Sequence, residues 1–195
     1  MNGQTISDIR KKAEEISARE GCYLYDIEFV GAGSSRVLRV FIDKAAEGGA
    51  SIEDCTNVSR GLNVILDENE EAIPGGNYNL EVSTPGLERV LKEPRHFEQA
   101  IGKKVLVKTF QPVAQFNEPL AIELGKAKQV QGKLLSYDEA GLKIELQDSP
   151  GVLVPEGKAA DVFVPFDSVT KAHIVFEFSE PAEKKTLQKK GKPKK

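Results

Sequence analysis

The chain has 195 residues with 27 Lys and Arg against 30 Asp and Glu, a formal net charge of −3, and 39% hydrophobic residues, enough for packed cores in one large or two small domains. No apolar run approaches the roughly 18 residues of a membrane span, and the first residues, Met-Asn-Gly-Gln-Thr-Ile-Ser-Asp, lack the charged start and apolar core of a secretory signal. Two cysteines, Cys22 and Cys55, are too few for a disulfide framework; free thiols in a reducing cytoplasm are expected, in a monomer with no membrane contact.

Ile6, Ile9, Ala13 and Ile16 recur at helical spacing, Thr5 and Asp8 are spaced as a capping box, and Gly21 falls just past the end, so the first element is an amphipathic helix. Residues 23–30 and 36–43 are β-branched and aromatic runs around Gly31-Ala-Gly-Ser-Ser, the composition of a hairpin. The Gly-x-Gly in that loop is followed by a strand, whereas a dinucleotide loop needs a helix there. Ser51 and Asp54 form a second capping pair, and Ile52, Cys55, Val58, Leu62, Ile65 and Leu66 mark one helical face that stops before Pro74-Gly-Gly. Tyr78, Leu80 and Val82 then alternate with polar residues as a strand. The order is αββαβ, an α+β N-terminal domain assigned to residues 1–91.

Thr84, Pro85, Gly86 and Leu87 read as a tight turn, since proline fixes φ and removes a donor while glycine accepts positive φ. Pro94 suits the first turn of a short helix carrying Phe97 and Ile101 and ended by Gly102, so residues 92–103 form a joint. Short strands follow at residues 104–110, 129–136, 141–146, 161–165 and 173–178, an all-β pattern that suits a small closed or half-closed barrel over residues 104–179. Residues 111–128, with Phe116 and Pro119, make a long first loop. The last stretch, residues 180–195, ends in a lysine-rich run that cannot bury enough surface to order itself, and a disordered arm is expected.

Charge is divided along the chain. Residues 1–88 hold 8 basic and 16 acidic groups, residues 89–108 hold 6 and 2, residues 109–183 hold 6 and 12, and residues 184–195 hold seven lysines and no acid. Two acidic lobes therefore flank a basic joint and precede a basic tail, polarities that suit basic proteins and nucleic acid respectively.

The run Leu-Glu-Val-Ser-Thr-Pro-Gly-Leu-Glu-Arg at residues 80–89, followed by Pro-Arg-His-Phe at 94–97, resembles the signature of the RimP family of bacterial ribosome maturation factors. Thr84 stands where the family usually has Ser, Glu88 where it has Asp, and Val90 where a Pro is frequent. The order of helices and strands agrees over roughly residues 6–178. The resemblance implies an SH3-like small barrel for the second domain. It also implies a non-enzymatic role in maturing the small (30S) ribosomal subunit, with ribosomal RNA and a basic small-subunit protein near the decoding region as partners.

The residues themselves show no reactive constellation. His96 and His173 are the only histidines, with no Cys, His or carboxylate at metal spacing, and neither a phosphate loop nor a nucleophile elbow occurs. No catalytic residue, metal or cofactor is expected. The candidate partner and RNA contacts are Ser83, Thr84, Pro85, Gly86, Leu87, Arg89, Lys92, Arg95, His96, Lys103 and Lys104; of these Thr84 to Leu87 are assigned to positioning, His96 to a surface contact, and Arg89, Lys92, Arg95, Lys103 and Lys104, with Lys108, to a basic band. The competing assignment is that Arg89 and Lys92 pair with Glu81, Glu88 or Glu93 and merely fix the joint. The competing function is a general RNA-binding regulator of transcription or translation. Deleting residues 184–195 should leave the melting temperature unchanged and lower RNA affinity alone, measured by calorimetry and by an RNA titration; a large loss of stability would make the tail structural.

Overall fold

A computed structural model describes residues 3–32, 35–45, 48–67, 73, 77–152 and 160–177. The lysine run of the tail lies outside them. The chain runs α1 (Gly3–Arg19), β1 (Tyr23–Val30), β2 (Val37–Asp43), α2 (Ile52–Asp67), β3 (Asn79–Ser83), α3 (Pro94–Ala100), β4 (Lys104–Thr109), α4 (Ala121–Leu124), β5 (Gln129–Tyr137), β6 (Gly141–Leu146), β7 (Asp161–Pro165) and β8 (Val169–Ile174).

In the N-terminal unit β2 is central, antiparallel to β1 and parallel to β3. A parallel neighbour needs a crossover, and α2 supplies it. Ser51 Oγ accepts the Asp54 amide at 3.2 Å and Asp54 accepts the Ser51 amide at 2.8 Å, the reciprocal cap expected from the sequence. Ile9, Ala13 and Ile16 of α1 pack with Val58, Leu62 and Leu66 of α2 over Leu24, Leu38, Val40 and Ile42 of the sheet. Gly61 lets the helices close, because a Cβ there would lie 2.9 Å from Ile16.

Two expectations for these helices are overturned. The first helix already includes Gly3, so Thr5 and Asp8 lie within it rather than at its cap. Ile52 is 88% exposed because it occupies the first position of α2, before the helix reaches the sheet.

The second unit is one antiparallel sheet in the order β7-β6-β5-β4-β8. Alternate residues from all five strands, among them Val107, Val130, Leu134, Ile144, Val164 and Ala172, meet in one apolar cluster. Glycine permits the tight approach of backbones, since a Cβ on Gly132 would lie 2.0 Å from the Glu145 carbonyl and one on Gly141 would lie 2.3 Å from that of Val164. The outer strands β7 and β8 do not pair with each other; a single 3₁₀ turn, Phe166–Ser168, joins them. The last strand lies at Val169–Ile174 rather than at residues 173–178, because that register puts Ala172 and Ile174 in the core opposite Val107 and Val105.

The long loop is built rather than irregular. Residues Val113–Phe116 and Glu118–Leu120 form 3₁₀ turns ahead of α4, and Val113 and Leu124 are fully buried under the sheet. Asn117 acts as a strand-like partner to the edge of β7: it donates to the Phe163 carbonyl and accepts the Phe163 amide, both at 2.8 Å. Covering an edge in this way removes a site for unwanted strand pairing. Leu134→Ala should cost about 2 to 5 kcal/mol of unfolding free energy, whereas Ile122→Ala, at a side chain 94% exposed, should stay within about 0.5 kcal/mol, both measured by urea titration.

Candidate functional site

The two units are joined through residues 84–97, and a bulge in β1 sets the geometry. Pairing of β1 with β2 slips between Leu24 and Asp26, so Leu24 and Ile27 pack on the N-terminal core while Tyr25 and Asp26 make their contacts with the joint. Tyr25 donates its hydroxyl to the Val90 carbonyl at 2.7 Å, and its ring stacks on His96 with centroids 3.9 Å apart.

Residues 89–91 then run along β8. Leu91 donates to Ala172 at 2.8 Å, Ile174 donates to Arg89 at 3.1 Å, and Val90 forms an isolated bridge with His173. Leu91 accordingly packs in the second apolar cluster.

Residues 84–87 form an open bend rather than a tight turn. Gly86 has φ +75°, but no backbone hydrogen bond links residues 84 and 87; Arg89 Nε closes the bend by donating to the Gly86 carbonyl at 3.1 Å. The arginine side chain is thereby held on the bend it follows.

The cations of the joint are neutralised from within. Arg89 pairs with Asp43, a side chain only 5% exposed, and lies over the Tyr25 ring at 5.6 Å. Lys92 bonds Asp26 and, at 2.9 Å, Glu28. Burial alone would push its ammonium down, but these carboxylates outweigh burial and hold it above its usual value. Arg95 pairs with Glu93 at 2.8 Å and reaches the Tyr25 carbonyl at 3.3 Å, while Glu93 also takes Arg10 at 2.8 Å. Lys104 bonds Asp148 at 2.8 Å together with Glu177, and both raise its ammonium.

The sequence-near acids explain little of this. Neither Arg89 nor Lys92 takes one of the acids named for it from spacing: Glu81 pairs with Arg39 at 2.7 Å and Glu93 with Arg95 and Arg10. Asp26, Glu28 and Asp43 are distant in sequence, and the bulge that turns Asp26 towards Lys92 has no signature in residue order.

His96 is not a surface contact, as expected from its position beside the basic residues; it is 1% exposed. Its Nδ1 accepts the amides of Lys92 at 3.1 Å and Glu93 at 3.2 Å, and its Nε2–H donates to the Tyr25 carbonyl at 3.1 Å. These three bonds require the neutral ring. Burial pushes its pKa down in agreement with them.

A cleft of about 730 Å³ remains beside the joint, lined in part by Thr84, Gly86, Leu87, Arg89 and Lys103 together with Tyr23, Lys44 and Gln99. Tyr23 Oη lies 3.2 Å from both Asp43 and Gln99. Lys44 bonds Asp54 at 2.7 Å, which with the Ser51 bonds holds that carboxyl at about 2. Leu87 is 61% exposed, and Lys103 is exposed without an ion-pair partner among the described residues. The structure thus gathers five of the candidate residues at one cleft. Ser83 and Pro85 lie beside it, Lys92, Arg95 and His96 belong to the internal network, and Lys104 sits on the second sheet. Among the described residues no group of three His, Cys, Asp or Glu is placed to hold a metal.

Residues 12–88 match the family model of the RimP N-terminal domain. The match ends immediately before Arg89 and so includes the bend that lines the cleft.

Because the folded ring is held neutral, the unfolded chain binds the His96 proton more readily. Its contribution to stability is complete above pH 6.5, the ordinary histidine value, and declines as pH falls below it. His173, also lowered by burial, acts in the same direction. His96→Leu should cost about 1 to 3 kcal/mol, from the amides left without an acceptor. The fall in urea midpoint from neutral to mildly acid pH should also be shallower in this variant than in the parent.

Proposed function

The chain belongs to the RimP family through its N-terminal domain, residues 12–88, and from that premise we propose that it is a non-enzymatic maturation factor of the small (30S) ribosomal subunit. Its work is cytoplasmic, and it binds the immature subunit as a monomer, through ribosomal RNA and a basic small-subunit protein near the decoding region. The family match carries the reading. The five-stranded antiparallel second unit, with a 3₁₀ turn before its last strand, supports reading that unit as an SH3-like barrel whose ends come together without hydrogen bonding.

The internal pairing of Arg89, Lys92 and Arg95 gives these residues a different task from phosphate contact. They hold the two units in one relative orientation, so that separate surfaces reach one particle together. The cleft with Leu87 at its lip and Lys103 inside it supplies a contact with both an apolar and a cationic part. The acidic excess of residues 1–88 suits a lysine-rich ribosomal protein.

No reaction is needed for such a factor to act. It stabilises whichever conformation of the subunit it binds better, by the difference in affinity, and it leaves when maturation removes that difference. A hundredfold loss of affinity on maturation corresponds to about 2.7 kcal/mol, within reach of two or three charge-assisted contacts. In sucrose-gradient sedimentation of a cell extract the chain should travel with free or immature small subunits and be absent from translating ribosomes. Co-migration with RNA polymerase instead would overturn the assembly role in favour of a regulator of transcription.

A further inference from the structure

The positive charge free to meet a ligand in the second unit is not in the joint. Residues 109–183 hold only 6 basic groups against 12 acidic ones, yet two of those six, Lys126 and Lys128, line one cleft of about 610 Å³ with Lys108, and a third, Lys171, sits on the neighbouring strand. All four are exposed, and among the described residues none has a carboxylate within ion-pair distance. Lys108 and Lys171 stand directly opposite each other across the β4–β8 pair. Like charges at such positions repel and destabilise a sheet, so this arrangement opposes folding and calls for an anionic ligand.

The backbone beneath the lysines is fixed while their ammonium groups are free. Thr109 donates its amide to the Lys128 carbonyl at 2.8 Å, and Thr170 Oγ1 donates to the Lys108 carbonyl at 3.1 Å. Ala127 is held on both sides, donating to Leu124 at 3.0 Å and accepting Val113 at 2.9 Å. Next in the chain after Thr109, Phe110 is 52% exposed and is anchored by its amide, which donates to the Ser168 carbonyl at 3.1 Å. Four cations with no ion pair among the described residues, and an exposed aromatic ring one residue along the chain from the cleft lining, match a phosphate backbone with an unstacked base.

We propose that the cleft lined by Lys108, Lys126 and Lys128, with Lys171 opposite Lys108 on the next strand and Phe110 following cleft-lining Thr109 in the chain, docks single-stranded or loop RNA. The proposal rests on the reading that the protein acts on an RNA-containing particle, and it assigns the RNA contact to the second unit rather than to the joint. The ring distinguishes RNA from an acidic protein segment, which would use the lysines and have no need of a stacking surface.

The test uses the full chain and a fluorescein-labelled oligouridine, titrated by anisotropy across a salt series. Replacing the four lysines by glutamine (K108Q, K126Q, K128Q, K171Q) should lower affinity at low salt by at least about tenfold and reduce the slope of log K against log salt by about 3, since each phosphate neutralised on a single strand contributes about 0.7. The matching arginine variant should keep the slope. Phe110→Ala should weaken binding by about tenfold at every salt concentration with no change of slope. Because the lysines make no ion pairs among the described residues, the glutamine variant should melt no lower than the parent, and relief of the Lys108–Lys171 repulsion should raise it slightly. An unchanged slope in the glutamine variant would overturn the site, as would absence of oligouridine binding by the parent or preferential binding of polyglutamate. If the parent rides on immature subunits and the glutamine variant rides equally well, the site is wrong and the assembly role stands. If the parent does not ride on them, the assembly role fails while the oligouridine titration still decides the site.

Discussion

A phenol and an imidazole lie face to face at the joint, with centroids 3.9 Å apart and planes 9° from parallel, and the arrangement of both units follows from what holds them there. The bulge in β1 turns Tyr25 out of the helix-covered face. Its hydroxyl then ties down the Val90 carbonyl and its own carbonyl receives His96. Val90 is bridged to β8 and Phe97, one residue past His96, is buried in the second core. One aromatic pair thus connects the first sheet to the second, and both rings have their polar atoms satisfied. An unsatisfied buried donor or acceptor at this place would cost about 1 to 3 kcal/mol, which makes a small displacement of either ring unfavourable.

The charges around the stack act with it. Asp26 and Asp43 are nearly buried, and each has a cation delivered from the other side of the joint, Lys92 and Arg89. A buried carboxylate that lost its partner would be strongly destabilising, even though the pair itself contributes little net stability. Such pairs specify geometry more than they strengthen it. Arg89 also closes the bend at Gly86, so the position of residues 84–87 and the orientation of the second unit depend on the same side chain.

Periodicity made most of the elements legible. The alternating and helical patterns locate both helices of the N-terminal unit, all three of its strands and four of the five strands of the second unit. The features they could not locate involve one residue placed against distant chain. An extra residue in β1 leaves no mark in composition, so the outward turn of Tyr25 and Asp26 is hidden. The β8 pattern is short and ambiguous in register until Val105 and Val107 are placed opposite it. Residues 111–128 look like a loop because Val113 and Leu124, which plug the core, are too few to show a period. His96 sits among charged residues in the sequence and is buried in space, because its capping role depends on amides three and four residues away and on a carbonyl of β1.

Charge in this protein has to be read with its partners, and the count along the chain inverts once they are known. The joint is the most basic stretch of residues 1–183 by composition, yet Arg89, Lys92, Arg95 and Lys104 are all paired with the chain's own carboxylates. The second unit is acidic by composition, but Lys126 and Lys128 line one cleft with Lys108, and Lys171 stands opposite Lys108 on the next strand. A cation already bound to a carboxylate gains little by exchanging it for a phosphate, whereas an unpaired lysine held against another lysine loses repulsion and gains a partner in the same step. Folding constraints therefore divide the cations into those that orient the two units and those left free to dock, and the second group sits on the rigid sheet that the first group aims.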